Sequence, residues 1–537
     1  MLKNTRPQRA SYKREAPDFL NPLNPSVFAT VAAAVIALLS AVPAARAAVI
    51  NVVDVIPNSD SSEALQNSEP SLGVNPLNPS QMIAGTFGIG RYFKSTNGGT
   101  IWSGYGNLDL VDKSIAWRQD GVAALSATLQ PLTFDPNFTS QIQTYSGTIA
   151  ASNFGAPINT FNPTQALDIP WIQTGPAGQT YEAYNNSDNA GGRSASIRVS
   201  ANNGGTFASP VTLETVDPKA GQDAPFVRQA VNGSTVYAAF IRWGDVIEND
   251  ANGVRFGDSQ VVVVKSTNSG ATFSAGVAAA STTGSFADTV NSPLTLGQER
   301  AGSDVAIAVD PNNANHVVVA YSDAPGADGS GLLQLHVIES TDGGATWTNK
   351  FTTSAAVRSA LPGLSILSNG AIGLLYASYN PITDQLSQHL LTTTNDFATT
   401  DDSLLGTESN AFPTIQFGPY IGDFFDLTSV GNTFYGIFSA SNADNGIDAL
   451  FPDVSFQRDF IGIPGTAGFH LTSAIGAPDF SIDPFVFSFS LAAVPEPATV
   501  TLLGAALIGM AALRRRRTQT GRRRWVKLTL LGGRFVI

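Results

Sequence analysis

The chain has no cysteine, which excludes a disulfide framework and any thiolate metal site. Its four histidines, His316, His336, His389 and His470, are scattered without zinc-ligand spacing. A P-loop, a dinucleotide fingerprint and a Gly-x-Ser-x-Gly elbow are also missing. Charged residues make up only 13% of the 537, against 43% hydrophobic. That balance suits a packed body rather than a disordered one. Length does not divide the chain by itself, because repeat-built β folds run long as one unit.

Turn chemistry, by contrast, is abundant. Fifty glycines and 31 prolines, set among frequent Val, Thr and Ser, point to many short strands with tight connections. The net charge of −12 is unevenly spread. Six of the 30 basic residues lie in 1–47 and nine in 514–537, whereas all but three of the 42 acids fall within 48–493. The body therefore carries about −24. Such a surface repels phosphates and anionic lipid, so no nucleic-acid partner is expected. It suits cations, neutral glycans or basic proteins, or serves simply to keep an exported body soluble.

Both ends read as export signals. Lys3, Arg6, Arg9, Lys13 and Arg14 precede an apolar run over residues 27–42, and Ala45-Arg46-Ala47 follows as a small-x-small cleavage pattern. Residues 1–47 thus form a secretory signal peptide with a signal helix, the alternative being an uncleaved anchor. At the other end Pro495-Glu496-Pro497 leads into an apolar stretch over 498–513 and then Arg514-Arg515-Arg516-Arg517. Sixteen helical residues span about 24 Å, close to a bilayer core, and the arginines would hold their end in the cytoplasm.

Residues 494–517 closely resemble the PEP-CTERM sorting signal of Gram-negative bacteria that make exopolysaccharide. The resemblance implies an exosortase acting at Pro495-Glu496-Pro497, with secretion machinery as a partner. It also implies membrane contact through 498–513 before processing, then a cell-surface or extracellular body. The sorting segment is placed at 491–517. Unlike the usual family members, this chain continues past the arginines, and 518–537 is read as a basic tail or an extension of the reading frame.

The body, 48–490, repeats itself. Ser95-Thr96-Asn97-Gly98-Gly99-Thr100-Ile101-Trp102 has counterparts in Ser200-Ala201-Asn202-Asn203-Gly204-Gly205-Thr206-Phe207, in Ser266-Thr267-Asn268-Ser269-Gly270-Ala271-Thr272-Phe273 and in Ser340-Thr341-Asp342-Gly343-Gly344-Ala345-Thr346-Trp347. The Asn or Asp side chain can hold nearby backbone N–H groups, glycine supplies positive φ, and the closing aromatic packs on the sheet. These segments resemble the Asp-box (BNR) repeat, three with Asn for Asp. The resemblance implies a structural role for each box and a sialidase-superfamily-like propeller.

A second repeat begins each unit with an acid or small residue before a short apolar strand. It starts at Glu69-Pro70-Ser71-Leu72, Asp112-Lys113-Ser114-Ile115, Asp168-Ile169-Pro170-Trp171, Asp223-Ala224-Pro225-Phe226, Asp304-Val305-Ala306-Ile307, Leu361-Pro362-Gly363-Leu364 and Gly422-Asp423-Phe424-Phe425. Seven starts at propeller-like intervals predict an all-β chain, a β-propeller with seven blades favoured over six, closed by pairing the first and last segments.

First strands lie near a propeller's channel, so Glu69, Asp112, Asp168, Asp223, Asp304 and Asp423 are candidates for an acidic ring. Such a ring would accept Ca2+ or hydrogen-bond sugar hydroxyls, with no cofactor or metal required. The alternative is that each carboxylate caps the backbone of its own strand. A sialidase of this superfamily holds its substrate carboxylate with three arginines and uses a tyrosine–glutamate pair and an aspartate. Here Ser68 stands where the first of those arginines belongs. Arg91, Arg228, Arg242, Arg300 and Arg358 remain without a motif to fix a role. The leading expectation is a glycan- or protein-binding module in an exopolysaccharide or biofilm setting, with exo-α-sialidase-like hydrolysis as the alternative.

Overall fold

A computed structural model describes residues 50–57, 67–87, 91–108, 110–133, 139–163, 166–187, 193–216, 226–249, 254–282, 285–287, 304–323, 332–383, 385–409, 421–441, 454–455, 460–462, 469–471, 482–491, 528–530 and 533–535. The signal helix, the Pro-Glu-Pro motif and the apolar stretch over 498–513 lie outside the described residues.

The body is a seven-bladed β-propeller. Six blades are built on four-strand meanders in chain order; blade 4 adds a short strand, Ser285–Ala287, beside its third, and the blade 7 sheet adds Val454–Ser455, parallel to its outermost strand. Blade 1 starts at strand Ser71–Val74, blade 2 at Val111–Trp117, blade 3 at Ala166–Thr174, blade 4 at Arg228–Asn232, blade 5 at Val305–Asp310 and blade 6 at Arg358–Ile366. Blade 7 runs Asp426–Val430, Thr433–Ser441, Ile482–Ser490 and then borrows Val52–Asp54 from the N-terminal end. That strand lies antiparallel to the third, Val52 opposite Phe487 and Asp54 opposite Phe485. The described repeat starts fall within the first residues of an innermost strand (Asp112, Asp168, Leu361) or shortly before one (Glu69, Asp304, Gly422), and Asp223 lies outside the described residues.

The core is divided accordingly. Among the described residues seven apolar clusters fill the seven blade-to-blade interfaces. Two-sided burial explains the continuous apolar runs of the inner strands, such as the Val317-Val318-Val319-Ala320 run of blade 5, all fully buried.

The two faces of the ring differ. Turns joining first to second strands and loops joining third to fourth strands share one side, here the turn face. The innermost strands begin on the other, the mouth face. The four Ser-x-Asn/Asp loops sit on the turn face, each between the third and fourth strands of its blade. Each is tied to the first turn of that blade, by Gly98 N to Ser80 O, Asn203 N to Gly178 O, Ser269 N to Ser234 O and Gly343 N to Asn315 O at 2.8–3.0 Å. Within each loop the serine hydroxyl donates to the Asn or Asp and accepts from a glycine N–H, as in Ser200 to Asn202 (2.8 Å) and Gly204 N to Ser200 (3.0 Å).

A fifth loop of the same construction occupies blade 6. Thr393 donates to Asn395 at 3.1 Å, Phe397 N donates to Thr393 at 3.0 Å, and Thr399 N donates to Asn395 at 3.0 Å. Asp396 and Phe397 take the left-handed positions (φ 58° and 61°) that Gly343 and Gly344 hold in blade 5. Phe397 stacks on Phe351 of blade 5.

Because Ser200 is buried, Ser200→Ala strands the Gly204 N–H away from water. The expected cost is about 1–3 kcal/mol in urea unfolding at unchanged m-value. An unchanged midpoint would show that the hydroxyl contributes nothing.

Candidate functional site

The innermost strands open with a recurring irregularity. Glu69, Asp112, Ile169, Leu361 and Gly422 all have positive φ, between 42° and 91°. Pairing slips at the same place in three blades, between Val111 and Lys113, Asp168 and Trp171, and Ala360 and Gly363. This is a β-bulge, and the Pro that follows Glu69, Ile169 and Leu361 suits it because a bulged residue need not donate to the ladder. At Gly422 the approach to blade 1 is so close that an added Cβ would stand 2.6 Å from Glu69.

The bulge separates acids that look equivalent in sequence. Glu69 and Asp112 occupy the left-handed position itself, Asp168 precedes it and Asp423 follows it. Asp168 accepts from Ile169 N at 3.0 Å and Asp304 from Val305 N at 2.8 Å, so both cap their own strands. Asp223 lies outside the described residues. Asp304 and Asp423 act on one common group, Arg228. Among the described residues no three His, Asp or Glu side chains are grouped as a metal ion needs.

Arg228, at the start of blade 4, is the centre of the site. Its guanidinium lies 3.9 Å from the Trp171 ring centroid, 5.2 Å from Phe424 and 5.3 Å from Phe226. Trp171 and Phe424 meet edge-to-face at 5.3 Å. With Ile169 and Phe226 they form an apolar cluster drawn from blades 3, 4 and 7. Arg228 Nη2 stands 2.9 Å from Asp304 Oδ1. Arg228 Nη1 and Asp304 Oδ2 are buried and have no hydrogen-bond partner among the described residues. Burial lowers the pKa of the guanidinium, against the pull of Asp304, Asp426 and Asp423.

Asp426, which sequence reasoning passed over, completes the group. It accepts from Leu72 N at 3.0 Å and Ser71 Oγ at 3.1 Å, stitching blade 7 to blade 1. Burial raises the Asp304 carboxyl to about 7 in spite of Arg228 and the Val305 N–H. Burial likewise raises Asp426 to about 6 against the bonds from Leu72 and Ser71.

Both carboxyls therefore hold a proton more tightly folded than unfolded, where the reference is about 3.9. Their stabilising contribution is full below about pH 4 and is lost as pH rises to about 7, a change on the order of a few kcal/mol. The difference in urea midpoint between the parent and Asp304→Asn is expected to change across that window. A difference that stays constant from pH 4 to 8 would rule out the shift at Asp304.

The cavity beside this cluster measures about 50 Å³ and is lined by Trp171, Gln173, Arg228, Ile307, Pro362, Phe425 and Asp426 among others. Of the arginines considered from sequence, Arg228 alone lines it. Arg91 is buried in the third strand of blade 1. Arg242 pairs with Glu214 through two nitrogens and reaches Gln260 at 2.6 Å, bridging blades 3 and 4. Arg358 begins the inner strand of blade 6, and Arg300 is outside the described residues.

Two histidines form a repeated arrangement. His336 stacks on Tyr321 and bonds Asp323 (2.7 Å) and Thr352 (3.1 Å). His389 stacks on Tyr376, bonds Ser378 (2.9 Å) and faces Asp402 at 3.4 Å. Ser378, His389 and Asp402 have the residue types of a nucleophilic triad. The blade 5 counterpart puts Asp323 where Ser378 stands, so the arrangement recurs without a hydroxyl at that position and pins neighbouring strands.

The PEP-CTERM protein-sorting motif matches residues 493–517. This chain is thus a seven-bladed propeller with a bacterial signal for export and membrane-associated sorting, processed by exosortase-type machinery. No curated protein sequence matches it. Among solved structures it is similar to the α-L-arabinofuranosidase of Fusarium graminearum in complex with an iminosugar inhibitor, at 12% identity over 70% of this chain and 92% of that one, TM-score 0.38. The α-L-arabinanase of Penicillium chrysogenum complexed with arabinobiose matches at 11% identity over 83% and 99%, TM-score 0.40. A polysaccharide lyase, an ulvan lyase, matches at 10% identity over 81% and 94%, TM-score 0.40.

Proposed function

We propose that this propeller is a non-catalytic glycan- or protein-binding module, exported from a Gram-negative cell and placed at its surface or released in an exopolysaccharide setting. The observation that carries this reading is the filling of the channel beside Arg228. A cavity of about 50 Å³ is far below the roughly 300–1,000 Å³ of small-molecule clefts. The guanidinium is stacked on Trp171 and charge-paired with Asp304 rather than held ready for a substrate carboxylate. Sialidase-type hydrolysis would need three such guanidinium forks converging on one carboxylate. Binding then falls to the outer surface, whose acidic balance favours neutral glycans and basic partners.

The test is a glycan array with residues 48–493, which hold all seven blades, run beside a fluorogenic sialoside assay. Retention of neutral polysaccharide without turnover is expected. Sialoside turnover that disappears in Arg228→Ala would overturn the proposal.

A further inference from the structure

Both ends of the propeller leave from the same place. The third strand of blade 7 ends at Ser490, opposite Thr433, beside the turn at Gly431 and Asn432. Leu491 N then donates to Asn432 O. The borrowed strand pairs Val52 with Phe487 and Asp54 with Phe485, so its beginning lies toward that same edge. The sequence that leads to residues 27–42 and the sequence that leads to 498–513 therefore both depart from the turn face.

That face is unlike the rest of an acidic body. Among the described residues its turns and loops are built mostly of Asn, Gly, Ser, Thr, Pro and Ala, with charges at Arg118, Asp120, Asp310, Asp342 and Asp396. It also carries exposed apolar side chains next to blade 7. Leu77 is 71% exposed, Ile101 64% and Val122 56%, and Leu77 lies over Gly121 beside Val122.

From Leu491 to residue 498 six residues intervene, seven steps of the backbone, a reach of no more than about 25 Å when fully extended. A tether so short, leaving from one face, sets which face meets the lipid. We infer that before processing the turn face lies against the membrane, with Leu77, Ile101 and Val122 in the headgroup region. The mouth face, with Arg228 and its aspartates, points away. Apolar side chains gain by entering the interface, and the acidic remainder of the body is kept from an anionic leaflet. The inference rests on reading 498–513 as the membrane segment of the sorting signal.

The absence of cysteine makes the test direct. Ile101→Cys and Val122→Cys on the turn face, and Ile382→Cys on the mouth face (87% exposed), are each labelled with an environment-sensitive fluorophore. The uncut full chain is reconstituted in phosphatidylethanolamine–phosphatidylglycerol vesicles carrying nitroxide-labelled lipid. Several-fold stronger quenching at positions 101 and 122 than at 382 is expected. Equal quenching, or deeper burial at 382, with the chain bound to vesicles overturns the orientation alone. A chain that does not associate with vesicles overturns the membrane reading of 498–513 as well.

Discussion

Arg228→Ala is expected to lower the free energy of unfolding by about 3–5 kcal/mol above about pH 7, where Asp304 is ionised and is left buried without its counter-charge, and by less at lower pH, where that carboxyl takes up a proton. Part of that loss is the stacking of the guanidinium on Trp171 at 3.9 Å, an interaction of up to about 2 kcal/mol when desolvated. Arg228→Met restores much of the volume but not the charge. Pairing it with Asp304→Leu removes both charges together, and that double variant is expected to return to within about 1–2 kcal/mol of the parent. Urea unfolding of the parent, of Arg228→Ala, of the single variants Arg228→Met and Asp304→Leu and of the double variant checks the expectation. Losses that simply add in the double variant would show that the two side chains do not act as a pair.

The second large effect concerns ring closure. Removing residues 50–56 takes away the fourth strand of blade 7 and with it Val52, Val53, Val55 and Ile56, all buried. At about 1.5–3 kcal/mol for each buried side chain the loss is roughly 6–12 kcal/mol, as large as the whole stability of a typical domain. The truncated chain is expected to lose its cooperative unfolding transition and to bind a hydrophobic dye. A synthetic peptide covering 48–57 is expected to restore the transition when added in excess. A cooperative melt close to that of the parent, without peptide, would show that the strand is dispensable.

Much of the fold was legible because its repeats are local. The seven strand starts could be found from a small or acidic residue followed by an apolar run, and four loops from Ser-x-Asn/Asp with glycine. The fifth loop, at Thr393 to Thr399, escaped because Asp396 and Phe397 accept positive φ without glycine and no aromatic closes it. The site was harder to read. The bulge puts Asp112, Asp168 and Asp423 at three different points of it, a difference that sequence spacing does not record. A usable signal did exist in the aromatic residues. Trp171, Phe226 and Phe424 each follow the start of a repeat, and all three surround Arg228. Their meeting across the channel joins non-adjacent blades, which no local pattern records.

The borrowed strand also imposes an order of events. Val52–Asp54 precedes its partner strand Ile482–Ser490 by roughly 430 residues. Each doubling of a loop adds only about 0.6 kcal/mol to the entropy of closing it, so joining the ends of the ring is about 2 kcal/mol harder than closing a single blade of some 50 residues. Thermodynamics barely notices the distance, but time does. Six blades can form their meanders as they emerge, while the seventh waits for the end of the chain. The segment that completes the ring is the one that directly precedes the sorting signal, so the last blade closes next to the motif that directs membrane-associated sorting.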